Sequence, residues 1–140
     1  MRTNVLRIEW LPNYPHPNHP LSDIVIDGTR LQNLVERVTH RSYDMTTPIG
    51  FMPEQYQKEW AARLMADGQP DLPTGRCELL VCAECGHLGC GCISCSIRRD
   101  DDSIIWSDLG WETDYGELNQ FPMGSFRFKL QELKSALSMV

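Results

Sequence analysis

Leu6, Ile8 and Trp10 alternate with Arg7 and Glu9, the period of two that marks a strand with one buried face. The next segment holds Pro12, Pro15, Pro17 and Pro20, whose fixed φ angles predict an extended, stiff loop. Ile24-Val25-Ile26 before Asp27-Gly28 reads as a second strand ending in a turn. The spacing then changes. Leu31, Leu34, Val35 and Val38 recur at helical intervals, and Thr29 with Gln32 has capping-box spacing, so a helix is predicted over about 30–41. A second helix opens at Pro53, carries Tyr56, Trp60 and Leu64 on one face, and closes by Gly68.

From Arg76 the pattern becomes β-rich. Three runs, Glu78 to Ala83, Cys90 to Arg98 and Ser103 to Asp108, are separated by Gly-rich and Asp-rich turns. Phe126 and Phe128 flank Arg127 in a last strand, and Leu130, Leu133 and Leu137 support a short C-terminal helix. Strands and helices segregate without βαβ alternation. The predicted class is therefore α+β: a single domain over 1–140, with an antiparallel sheet and a Cys-rich β-meander in the second half, packed with two to three helices.

Composition narrows the function classes. The chain has 140 residues, 41% hydrophobic and 23% charged, enough for a core without staples. A net charge of −6 argues against an extended nucleic-acid surface or an anionic-membrane patch, and suits a basic protein partner. Glu9 interrupts the apolar stretch that a signal peptide needs, and the longest apolar runs fall far short of a membrane span of roughly 20 residues. The expected location is cytoplasmic, where cysteines stay reduced or bind metal.

All six cysteines lie between Cys77 and Cys95. Two Cys-x-x-Cys pairs, Cys82/Cys85 and Cys92/Cys95, enclose only Gly86 to Gly91, whereas a four-cysteine zinc module separates its pairs by roughly 15–20 residues. A regular hairpin with its turn between His87 and Leu88 would face Cys85 to Cys90, Ala83 to Cys92 and Leu80 to Cys95. Cys77, Cys85, Cys90 and Cys92 would then share one face, and Cys82 and Cys95 the other. A structural zinc site accordingly requires a knuckle near Cys82–Gly86, or a set drawn from Cys85, Cys90 and Cys92 with His87. The competing expectation is that the thiols pack as small hydrophobes. Nothing cationic adjoins Cys85 or Cys90, and neither opens a predicted helix, so ordinary, slowly reacting thiols are expected.

The run Leu79-Leu80-Val81-Cys82, then Cys85-Gly86-His87-Leu88-Gly89-Cys90-Gly91, Trp106-Ser107-Asp108 and Phe126-Arg127-Phe128 resembles a group of small uncharacterised bacterial proteins, some of them labelled oxidoreductases. The similarity covers the second half of the chain. Its most specific piece is the Cys-Gly-x-x-Gly-Cys turn, and Cys92 and Cys95 depart from the group. The resemblance implies the fold of that half and carries no substrate or cofactor.

Other candidates are sparse. His16 and His19 bracket Pro17-Asn18 in the stiff loop, and exposure there accounts for them as well as metal binding does. No Ser/His/Asp set, phosphate-binding glycine loop or His-Glu-x-x-His helix is present. Asp108, Glu112, Asp114 and Glu117 interleave with Trp106, Trp111 and Tyr115, which would make an acidic rim around aromatic anchors if these rings were exposed. The other expectation is that the rings belong to the core and the acids face water. The first functional reading is a non-enzymatic protein-binding module, in the manner of a toxin-neutralising immunity protein. Its alternatives are a thiol-based oxidoreductase centred on Cys85 and Cys90, and a module with a purely structural zinc ion.

Overall fold

The computed structural model describes residues 2–140. The opening alternation forms β1 (Leu6–Leu11), which pairs antiparallel with β2 (Leu21–Ile26) across the proline-rich loop, Leu6 facing Ile26 and Leu11 facing Leu21. A two-residue turn, Asp27-Gly28, joins β2 to the short β3 (Thr29–Arg30) and completes a three-stranded sheet. Leu6 is buried, but Trp10 is half exposed and lies over Pro20 and Gly50, so the apolar face of β1 runs out of core at that end.

Helix α1 (Leu31–Thr39) leaves β3 directly, with Leu31 and Val35 fully buried. The expected capping box does not form, because the sheet takes Thr29 and Arg30. The Gln32 amide instead donates to the Met45 carbonyl (3.0 Å) and accepts from the Met45 N–H (3.1 Å), which fixes β4 (Met45–Thr46). Pro53 caps α2 (Glu54–Leu64), and its Trp60 indole donates to the Glu78 carbonyl at 2.8 Å.

The second sheet has the order β4, β5 (Cys77–Cys82), β6 (Cys92–Asp100), β7 (Ser103–Glu112) and β8 (Leu118–Gln120), with β9 (Phe126–Lys129) on the first half of β7. Helix α3 (Leu130–Ala136) follows, so the class is α+β with antiparallel sheets and a cysteine-rich second half. Its core spans both sheets, from Leu6 and Ile24 to Leu79, Ile93 and Trp106. Trp106 packs edge-on against Phe128 at 4.6 Å between centroids, while its indole donates to the Leu64 carbonyl at 3.1 Å. Two tryptophans thus tie α2 to the sheet through polar tips as well as apolar bodies.

The β6–β7 ladder is not regular. Ser94 faces Gly110 but Ser96 faces Ser107, and Asp108 adopts a φ of 55°, so one extra residue bends β7. A bulge leaves ladder carbonyls without strand partners, and the buried Arg76 guanidinium supplies them. It donates to the Ser94 carbonyl at 3.2 Å and to the Asp108 carbonyl. Its charge is neutralised by Glu112 at 2.9 Å, whose carboxylate also accepts from the Ser94 hydroxyl (2.6 Å) and the Thr74 hydroxyl (2.8 Å). A second buried carboxyl, Glu78, meets the Tyr56 hydroxyl and Arg63 (3.1 Å); burial pushes its pKa up in spite of both.

Removing one partner of a buried pair strands the other charge. Arg76→Met is therefore expected to cost about 3–5 kcal/mol of unfolding free energy in urea titration. Adding Glu112→Leu should restore most of that loss. A cost under about 1 kcal/mol for Arg76→Met, the range of an exposed ion pair, would show that the guanidinium does not hold the bulge.

Candidate metal centre

The cysteines do not occupy a regular hairpin. β5 ends at Cys82, the chain turns over Cys82–Gly86, passes through a 3-10 turn at Leu88–Cys90, and enters β6 only at Cys92. The pairing differs from expectation accordingly: Leu80 faces Ile93 rather than Cys95, and Cys95 faces Cys77, with a register shift between Glu78 and Leu80. The knuckle at Cys82–Gly86, one of the two arrangements expected for a metal site, is present. The Gly86 N–H donates to the Cys82 carbonyl at 2.9 Å, and Gly86 has a φ of 69°.

Two glycines make this turn possible. A Cβ at Gly86 would collide with the Met52 sulfur, and one at Gly91 (φ 94°) would fall within the Trp111 ring. The turn is therefore clamped between Met52 on one side and Trp111 on the other.

The knuckle carries Cys82 round to the sulfurs of Cys85 and Cys90, and all three lie within 4.8 Å of one another. Cys85 and Cys90 are 3.4 Å apart and exposed, while Cys82 is half-buried. Of the five predicted ligands, Cys92 and His87 stay outside the cluster. Cys92 is buried with its thiol on the Glu112 carbonyl (3.5 Å), and burial raises its pKa. The Nδ1 of His87 accepts the Gly89 N–H at 2.8 Å, capping the 3-10 turn. Cys77 and Cys95 are core thiols, that of Cys77 pushed up to about 11 by burial.

The exposed pair is electrostatically unequal. The backbone N–H of His87 donates to the Cys85 sulfur (3.4 Å), and this bond and the hydrogen bond shared with the Cys90 sulfur hold the Cys85 pKa below that of an ordinary thiol. Cys90, on the other side of that shared bond, is raised to about 11. The expectation of ordinary thiols is thus corrected for Cys85: no cation is needed, because a backbone dipole and a neighbouring S–H stabilise the thiolate.

Cys85 also borders a cleft of about 500 Å³ with Asn13, His16, His19, Phe51 and Met52. The rings of His16 and His19 stand edge to face at 6.2 Å, and the Asn13 amide holds their loop by donating to the His19 carbonyl at 2.7 Å. This meeting of residues 13–19, 51–52 and 85 has no signature along the chain, since it is made by tertiary packing.

The acidic–aromatic stretch does not form the rim described above. Glu112 is buried on Arg76, Trp106 is core, and Trp111 is half-buried against Gly91. Asp108 is exposed, with its carbonyl held by Arg76, and Asp114, Tyr115 and Glu117 are exposed at the β7–β8 turn. Among the described residues no helix is long and apolar enough to cross a membrane. No family model, curated protein or solved structure matches the chain.

Selective alkylation checks the electrostatics. Iodoacetamide at pH 7.5 should label Cys85 first in the native protein, and Cys90→Ala should slow that labelling by removing the S–H donor. Equal labelling of Cys85 and Cys90, or faster labelling of Cys85 in the variant, would contradict the asymmetry.

Proposed function

We propose that this protein is a non-enzymatic thiolate module that binds one zinc-class cation through Cys82, Cys85 and Cys90. The observation that carries the reading is the convergence of three sulfurs, delivered by two successive turns, within 4.8 Å of one another. Zinc bound tetrahedrally by thiolates at about 2.3 Å places the sulfurs roughly 3.8 Å apart, close to the spacing of the cluster. The His87 N–H on Cys85 favours the deprotonated form that a metal requires. Three protein ligands leave a fourth position, and the exposure of Cys85 and Cys90 turns it toward water or toward a donor brought by a partner. The main core, built around Trp60, Trp106 and Phe128, closes without this cluster, so the ion would tighten the β5–β6 connection rather than fold the chain.

The 3.4 Å approach of Cys85 and Cys90 favours a second reading, a dithiol–disulfide couple. There the Cys85 thiolate would attack a substrate disulfide, and Cys90 would then displace the substrate as a dithiol, leaving a Cys85–Cys90 disulfide to be reduced by an external thiol. Cys82 has no part in that scheme, whereas metal binding uses all three sulfurs. That difference ranks the metal first.

Elemental analysis of protein purified without chelator should find about one zinc per chain. Alanine at Cys82, Cys85 or Cys90 should each lose the metal, and Cys92→Ala should retain it. A metal-free protein that takes up no zinc, with all six thiols titrating in denaturant, would overturn the metal reading.

A further inference from the structure

Thirteen Lys and Arg residues serve a chain of net charge −6, yet three arginines line one cleft of about 440 Å³. Strand pairing builds it. Arg98 on β6 faces Ile105 on β7, and Ile105 faces Arg127 on β9, so the three residues stand side by side on one face of the sheet. That face is opposite the one carrying Ile104, Trp106 and Phe128 into the core. Arg2 and Asn4, from the segment beside β9, close the cleft.

The cleft is held in shape independently of any ligand. The Asn4 backbone donates to the Arg127 carbonyl at 2.6 Å, and the Asn4 side-chain oxygen accepts the Arg127 N–H at 2.9 Å. The charges, by contrast, are only partly answered. Arg2 reaches Asp27 at 3.6 Å, and Arg127 meets a half-exposed Asp100 at 3.1 Å. Arg98 is exposed and has no ion pair among the described residues. Covering Ile105, which is 5% exposed, explains the arginine stems but not the gathering of their heads.

Like charges gathered on a fixed wall repel one another unless an anion joins them. Guanidinium forks match phosphate and carboxylate oxygens, and a phosphomonoester brings close to two charges and three acceptor oxygens, which suits several forks better than one carboxylate does. We infer that this cleft binds the phosphate group of a small phosphomonoester, held by Arg98 and Arg127. The site does not depend on the metal reading.

Phenyl phosphate, inorganic phosphate and phenol serve as probes in a ¹⁵N chemical-shift titration of the full chain at low salt. Phenyl phosphate and inorganic phosphate should both shift the signals of Arg98, Ile105 and Arg127, while phenol should leave them unmoved. Arg98→Ala should weaken phenyl phosphate about tenfold or more, and Arg99→Ala less than about twofold. Arg98 is exposed, so its loss should leave the rest of the spectrum intact. Shifts scattered over the surface, an equal effect of both substitutions, or shifts of the same signals by phenol would overturn the assignment.

Discussion

The Arg76 guanidinium, buried where β6 and β7 lose register, is the constraint on which the second half of the molecule rests. Its two bonds to the Ser94 and Asp108 carbonyls make the bulge tolerable in a dry interior, and Glu112 makes the guanidinium itself tolerable there. Past the bulge, β7 sets Glu112 opposite Cys92 and Trp111 opposite Ile93. The Trp111 ring then lies on Gly91 at the exit of the cysteine turn. A buried ion pair is thus connected, through two strand pairings, to the place where the sulfurs meet.

That connection explains why the six cysteines divide as they do. Cys77, Cys92 and Cys95 belong to the paired strands and are buried, where desolvation raises each thiol pKa and disfavours both metal binding and oxidation. Cys82 ends β5, paired with Met45, and Cys85 and Cys90 belong to the irregular connection that follows, where backbone N–H groups are not consumed by a ladder. One such group, that of His87, is directed at the Cys85 sulfur. Loop geometry supplies the soft donors, and the adjoining sheet keeps them in place.

Much of this was legible along the chain, for identifiable reasons. β-rich runs bounded by Gly-rich and Asp-rich turns located β5, β6 and β7, and the helical spacing of Leu31 and Val35 located α1. The need for a knuckle at Cys82–Gly86 was also readable, since strand alternation alone separates Cys82 from Cys85. The register was not: Gly86 and Gly91 take positive φ and lengthen the connection beyond a tight hairpin. Glu112 looked like a surface acid because its partner, Arg76, lies far away in sequence. Thr29 looked like a helix cap, but the Asp27-Gly28 turn folds it back onto Ile26 as a strand residue.

The central claim is that the thiolates of Cys82, Cys85 and Cys90 hold one cation. Zinc K-edge X-ray absorption of the zinc-loaded protein tests it most directly, because the first shell reports ligand type and number without altering the chain. The account predicts about three sulfurs at about 2.3 Å and one nitrogen or oxygen donor near 2.0–2.1 Å. A shell of nitrogen and oxygen alone would contradict it, since the ion would then sit away from Cys82, Cys85 and Cys90.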